Sequence, residues 1–289
     1  MQIRKVGLIG VGAMGGPMAI NLIRHGYEVA VATRTREKAE GVLALGAGWR
    51  ENAAACAEGQ DAVITMVGSP AEVEETYFGG RGVFAGARRG AFLIDMGTTS
   101  PALSRRIWER AKAAGMRALD APVSGGDKGA REGTLSIMAG GEQEDFEACR
   151  PLFGALGSNV VYTGGPGSGQ HTKMANQIAV AGALAGACEA LIYAKGAGLD
   201  PQVLLSCLGA GAAGSWQLQN TAPKILRGDL EHGFLIRHYC KDLAIALEEA
   251  GQMGLTLPVV GEVDAMFEAL RKDGFGELAT QALIKRYTE

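Results

Sequence analysis

A short apolar run, Val6 to Ile9, breaks into Gly10-Val11-Gly12-Ala13-Met14-Gly15, and Met18 to Ile23 continues at helical spacing. Glu28 to Thr33 is a second strand-like run. Strand, glycine turn, helix and strand, in that order, are what a dinucleotide-binding unit requires. Gly10 permits the tight turn, Gly12 lets backbone approach a pyrophosphate, and Gly15 lets helix and strand pack closely. The helix N-terminus then offers unpaired N–H groups and a partial positive charge to phosphates.

The rest of the first half repeats this grammar. Candidate strands are residues 5–9, 28–33, 62–66, 92–95, 116–119, 135–139 and 159–162, with helical stretches at 35–45, 70–77, 101–114 and 142–153. Such alternation predicts a parallel sheet covered on both faces. Leu119 and Leu135 leave little room for a crossover helix, so the last two strands are expected to extend the sheet in a different sense. Gly164-Gly165-Pro166-Gly167-Ser168-Gly169 marks a boundary. Beyond it every pattern is helical: 170–195, 201–208, 214–224, 235–253, 257–272 and 276–287. The expected organisation is an α/β Rossmann-type domain over 1–165, a long interdomain helix over 166–196 and an all-α domain over 197–289.

With 289 residues the chain accommodates about two domains. A net charge of −3 speaks against nucleic-acid binding by phosphate neutralisation. Five cysteines, odd in number and never in a CxxC, suit a reduced cytoplasmic protein. The N-terminus runs directly into the first strand, so no secretory leader is expected. His25, His171, His232 and His238 form no metal-binding spacing, and no metal is expected. Met174 to Ala194 is apolar enough to imitate a membrane span. Its Ala and Gly content, with Asn176, Gln177 and Glu189, reads instead as a core helix. Its small residues Ala175, Ala179, Gly182, Ala183, Gly186 and Ala187 would let neighbouring helices approach closely.

NAD-specific units usually end the second strand with Asp or Glu, which binds the ribose 2′-OH. Here that strand ends Thr33-Arg34-Thr35-Arg36. Arg34 suits a 2′-phosphate with its planar fork, Thr33 and Thr35 add hydroxyl donors, and NADP(H) is favoured over NAD(H). A solvated surface arginine is the alternative.

Three later segments share a theme. Asp95 to Pro101 and Asp120 to Gly126 each follow a strand, and Gly167 to Gln177 opens the long helix. Ligands of open α/β sheets bind outside the carboxyl ends of the strands. Ser124 with the N–H groups of Gly125 and Gly126 could cradle a carboxylate, although the same spacing also makes an ordinary turn. Lys173 lies in the first turn of a helix, where the dipole disfavours a cation and burial would favour proton loss. That makes it the candidate acid–base for moving a proton on a carbinol oxygen. Asn176 and Gln177, at i+3 and i+4, share its face. A lone lysine is otherwise most often solvated.

Taken together, Gly7 to Gly15 with Met18 to Leu22, Asp120 to Gly126, Gly167 to Asn176, and Lys241-Asp242 resemble the β-hydroxyacid dehydrogenases over essentially the whole length. That group contains 3-hydroxyisobutyrate dehydrogenase and tartronate semialdehyde reductase. The resemblance implies an enzyme interconverting a small 3-hydroxy acid and its semialdehyde, homodimeric or homotetrameric through the helical domain. It implies Lys173 as catalytic acid–base, and Ser124, Gly125 and Gly126 as carboxylate holders, with Asn176 assisting at the site. Met14, Met66, Val67, Gly68 and Thr98 would line the dinucleotide, Lys241 would reach its nicotinamide end, and Phe234 and Trp216 would wall the pocket. Two departures stand out: Gln177 where Asn or Asp is usual, and Val67-Gly68 where Leu-Pro is usual. An imine reductase would carry Asp or Tyr in place of Lys173, and a non-catalytic dinucleotide-binding module would not need it.

Overall fold

The computed structural model describes residues 2–288, which divide into two compact units between Lys173 and Met174. In chain order the first unit runs β1 (Lys5–Ile9), α1 (Gly15–Arg24), β2 (Glu28–Ala32), α2 (Glu40–Leu43), β3 (Gly48–Trp49), α3 (Ala53–Ala57), β4 (Ala62–Thr65), α4 (Pro70–Phe78) and α5 (Val83–Gly86). It continues with β5 (Phe92–Asp95), α6 (Pro101–Ala113), β6 (Arg117–Asp120), β7 (Val123–Ser124), α7 (Gly126–Glu132), β8 (Ser136–Gly141), α8 (Gln143–Gly154) and β9 (Asn159–Gly164). Helix α9 (Ser168–Gly196) leaves this unit, and α10 (Pro201–Ala210), α11 (Ala222–Leu226), α12 (Ile236–Gln252) and α13 (Pro258–Leu270) follow.

The nine strands form one sheet in the order β3-β2-β1-β4-β5-β6-β8-β7, with β9 beside β8. From β3 to β6 all pairs are parallel, and the first half has the doubly wound order. Strand β8 runs antiparallel to β6, pairing Leu119 with Gly141 and Asp120 with Gly140. The cramped 119–135 connection therefore does extend the sheet in another sense. Side chains of alternate residues go to opposite faces. In β4, Ala62 and Ile64 join one core with Val6, Leu8 and Val31, while Val63 joins the other with Ile9, Ala30 and Leu93. Met18, Ala19 and Leu22 of α1 and Phe146, Cys149 and Phe153 of α8 cover the first face. Val73 and Tyr77 of α4 and Leu103, Ile107 and Ala111 of α6 cover the second. Both α4 and α6 start where a serine oxygen accepts a third-residue N–H and a proline takes the first helical position.

Several short elements carry no readable period. These are β3, β7, α3, α5 and α7, the longest of which has seven residues. The expected helix over 35–45 is instead a tight turn, Arg36–Ala39, followed by α2.

The second unit is helical. Ala181, Leu184 and Cys188 of α9 pack with Tyr239 and Leu243 of α12 and Val263 and Phe267 of α13. By length and composition α9 could cross a membrane, yet its buried positions 174, 177, 181, 184, 188 and 191 form the stripe of a core helix. Its small residues divide: Ala187 is buried, whereas Ala175, Ala179 and Gly186 are exposed. The helix expected over 214–224 is a wide turn, Gln217–Thr221, running into α11. Pro223 has no N–H for the preceding turn, so the ladder widens ahead of it. The final expected helix is a tighter one over Thr280–Tyr287.

Candidate active site

Strands β2, β1, β4, β5 and β6 lie side by side, so the loops leaving their carboxyl ends share one edge of the sheet. Arg34 follows β2, the glycine turn follows β1, Met66 to Gly68 follow β4, Thr98 follows β5 and Ser124 follows β6. At the turn, Gly10 holds φ +101°, and a side chain there would strike the Met66 carbonyl. A methyl on Gly15 would strike the Gly10 carbonyl, so α1 packs hard against the end of β1. A methyl on Gly12 would meet nothing within 4 Å. The open side of the turn thus faces space beside the first N–H groups of α1, and a dinucleotide pyrophosphate fits it. Met14, Met66, Val67 and Thr98 are each half-buried. Arg34 and Thr35 are exposed. The Arg34 guanidinium pairs with Glu72 at 2.8 Å, a partner that the sequence reading did not assign.

The start of α9 is built into the same edge. Gly169 lies so close to the Asp120 and Met138 carbonyls that a side chain could not enter. The Asp120 carboxylate accepts the Gly167 N–H on one oxygen and the Gln170 N–H on the other, each at 2.8 Å. Burial raises its pKa to about 6, against the lowering effect of those N–H groups. The Gln170 side chain, fully buried, accepts from Thr99 N at 3.1 Å and donates to Gly97 O at 2.9 Å. One turn of helix is thereby tied to the loop after β5 and to the last residue of β6. Because α9 begins at Ser168, two residues ahead of the expected start, Lys173 follows in the second turn and not the first. It is 6% exposed, and its Nζ donates to the Val123 carbonyl at 2.9 Å. Ser124 and Gly125 are half-buried, and Gly126 is exposed, with positive φ at both glycines. The expected amine and the expected carboxylate cradle are therefore neighbours. At the ends of β4 and β5, Thr65 Oγ1 donates to Asp95 at 2.7 Å and accepts from the Tyr77 hydroxyl at 3.2 Å, all three residues buried.

In the helical unit, Asn176 Nδ2 donates to Gln177 Oε1 at 2.7 Å. Gln177 Nε2 donates to Asp242 at 2.6 Å, and Lys241 pairs with the other Asp242 oxygen at 2.8 Å. The Tyr239 hydroxyl, its pKa raised by burial, donates to the Gln177 carbonyl at 3.0 Å. Gln177 is 3% exposed, so its amide engages protein partners, while Asn176 is half-buried. Trp216 and Phe234 are exposed.

Sequence reasoning missed Gln170, the capping part of Asp120, Glu72 and the Asp242 anchor. Asp120 and Gln170 stood inside segments already singled out, but their pairing spans fifty residues and has no local period.

Fold and edge define a protein of the doubly wound, dinucleotide-binding class. Residues 5–164 match the family described as the NAD binding domain of 6-phosphogluconate dehydrogenase. Residues 167–287 match the one described as NAD-binding of NADP-dependent 3-hydroxyisobutyrate dehydrogenase. An uncharacterized oxidoreductase of Bacillus subtilis is 47% identical over 99% of both chains. The 2-hydroxy-3-oxopropionate reductase of Escherichia coli is 40% identical over 97% of this chain and 96% of its own. The solved 3-hydroxyisobutyrate dehydrogenase of Mycobacterium tuberculosis, with L-serine, superposes with a TM-score of 0.90 at 28% identity over all of both chains. The chain belongs to the β-hydroxyacid dehydrogenase family.

Proposed function

We propose that this enzyme interconverts a small 3-hydroxy acid and its semialdehyde, with Lys173 as the acid–base. The observation that carries the reading is the buried Lys173 amine, held 2.9 Å from the carbonyl that precedes Ser124. A bound nicotinamide supplies or accepts the hydride. In the reducing direction Lys173 gives a proton to the carbonyl oxygen of the substrate, and in the oxidising direction the neutral amine takes the hydroxyl proton. Ser124 and the N–H groups of Gly125 and Gly126 hold the carboxylate. Asn176 orients the reacting oxygen, and Gln177 acts through Asn176, whose side chain it accepts from.

Gly10, Gly12, Met14, Gly15, Met66, Val67 and Thr98 line the dinucleotide in this reading. Trp216, Phe234 and Lys241 keep the roles that the family resemblance gives them. NADP(H) is the favoured cofactor because the tip of β2 presents Arg34 and no acid. The domains are assigned as 1–165, 166–196 and 197–289. Five free cysteines support a cytoplasmic location. Exposed Tyr193, Val203 and Val259 support a homodimer or homotetramer assembled through the helical unit. The relatives named above support the substrate class, one being a 2-hydroxy-3-oxopropionate reductase and another a 3-hydroxyisobutyrate dehydrogenase.

Absorbance at 340 nm tests the proposal, pairing each reduced cofactor with succinic, methylmalonic and tartronic semialdehydes and with glyoxylate. Oxidation of cofactor by at least one semialdehyde is expected. Tight cofactor binding without turnover across the panel would return the chain to a non-catalytic binding module.

A further inference from the structure

The tip of β2 lacks the acid that would bind a ribose hydroxyl, but the neighbouring loop supplies one. Glu72 lies in the first turn of α4, after β4. One of its carboxylate oxygens is 2.8 Å from the Arg34 guanidinium, and the other accepts the Gly68 N–H at 2.8 Å. The pair thus joins the loops leaving β2 and β4, the two strands that flank β1 and its glycine turn. Gly68 matters to this arrangement: a proline at that position would have no N–H to give.

A simpler role for Glu72 is helix capping. Ser69-Pro70-Ala71-Glu72 starts like a capping box, and Ser69 Oγ accepts the Glu72 N–H at 3.2 Å. In that motif the carboxylate returns to the N–H of the cap residue itself. Here it reaches one residue further back, to Gly68, and turns its second oxygen to Arg34.

We propose that Glu72 is a specificity-determining residue, setting how strongly the site discriminates between a dinucleotide with a 2′-phosphate and one without. The proposal rests on the dinucleotide-binding reading of this edge. Arg34 is 90% exposed, so its pair with Glu72 is labile and open to exchange. A 2′-phosphate must take the guanidinium from Glu72 and then sit beside a like charge. An unphosphorylated ribose meets no such repulsion, and its hydroxyl can donate to the carboxylate. Glu72 therefore limits the NADP(H) preference that Arg34 creates.

Glu72→Gln removes the charge, keeps the shape and leaves an oxygen for Gly68. Dissociation constants of NADPH and NADH are measured by the fluorescence of the reduced nicotinamide, for wild type, Glu72→Gln and Arg34→Ala, alongside each thermal midpoint. Glu72→Gln is expected to tighten NADPH by about fivefold while NADH stays level or weakens. Arg34→Ala is expected to weaken NADPH by about tenfold and to spare NADH. An unchanged ratio of the two constants in Glu72→Gln, with or without a lower midpoint, overturns the proposal and leaves only a cap. A wild type that binds neither dinucleotide overturns the reading of the edge, and the proposal with it.

Discussion

Lys173 Nζ donates to the Val123 carbonyl at 2.9 Å, and Val123 is the residue before Ser124. One hydrogen bond thus joins the amine on α9 to the strand that presents the proposed carboxylate cradle. Lys173→Ala removes the proposed proton donor without touching the glycine turn. Turnover should fall by about 10² or more while the dissociation constant for dinucleotide stays within about threefold. Stopped turnover assays and a fluorescence titration on the same preparation check this, and undiminished turnover would remove Lys173 from the chemistry.

Gln170 ties the first turn of α9 to the loop that bears Thr98. In Gln170→Leu the Thr99 N–H and the Gly97 carbonyl lose buried partners, at a cost of about 2–4 kcal/mol in stability. Chemical denaturation should show that loss. Turnover of the folded fraction should also decrease, because the loop and Lys173 no longer share a rigid support.

Asp120 makes stability depend on pH. Its folded pKa, about 6, lies above the unfolded value near 4 because burial disfavours the anion. The folded protein therefore keeps this proton after the unfolded chain has lost it. The resulting stabilisation is fully present below about pH 4 and is lost as pH rises through about 6, amounting to about 3 kcal/mol. Asp120→Asn has no such proton. Denaturation at pH 4 and pH 7 should find the balance between the two proteins moving in favour of Asp120→Asn at the higher pH. A constant difference would rule out the titration.

Gly15→Ala drives a methyl into the Gly10 carbonyl and forces α1 away from β1. Overpacking of this kind costs about 1–3 kcal/mol. Because the displaced groups include the helix N–H groups facing the open side of the turn, affinity for either dinucleotide should drop by about tenfold or more. Equilibrium titration distinguishes this from simple loss of fold, which circular dichroism would register.

Long, periodic elements were legible before any coordinates. The strands β1, β2, β4, β5 and β6, the glycine turn and helices α6, α8, α9, α12 and α13 all announce themselves by alternation, helical spacing or a cap. Lys173 at the start of α9 and Ser124 to Gly126 after β6 were singled out from the sequence, but spacing alone left a solvated lysine and an ordinary turn open, and only the family resemblance tipped the balance. The two-residue strands β3 and β7 were not legible, because two residues show no period, nor was the widening of the helix at Gln217–Thr221 ahead of Pro223, which apolar spacing does not show.

Local pattern alone determined that this chain makes a doubly wound sheet followed by helices, because each such element is encoded by residues within one or two turns of each other. Only the folded chain decided who meets whom at the carboxyl edge. Asp120 reaches Gly167 and Gln170, Gln170 reaches Gly97 and Thr99, and Glu72 reaches Arg34, across separations of 38 to 73 residues. A buried hydrogen bond or an ion pair depends on three-dimensional distance and burial, and neither is written in the spacing of residues so far apart.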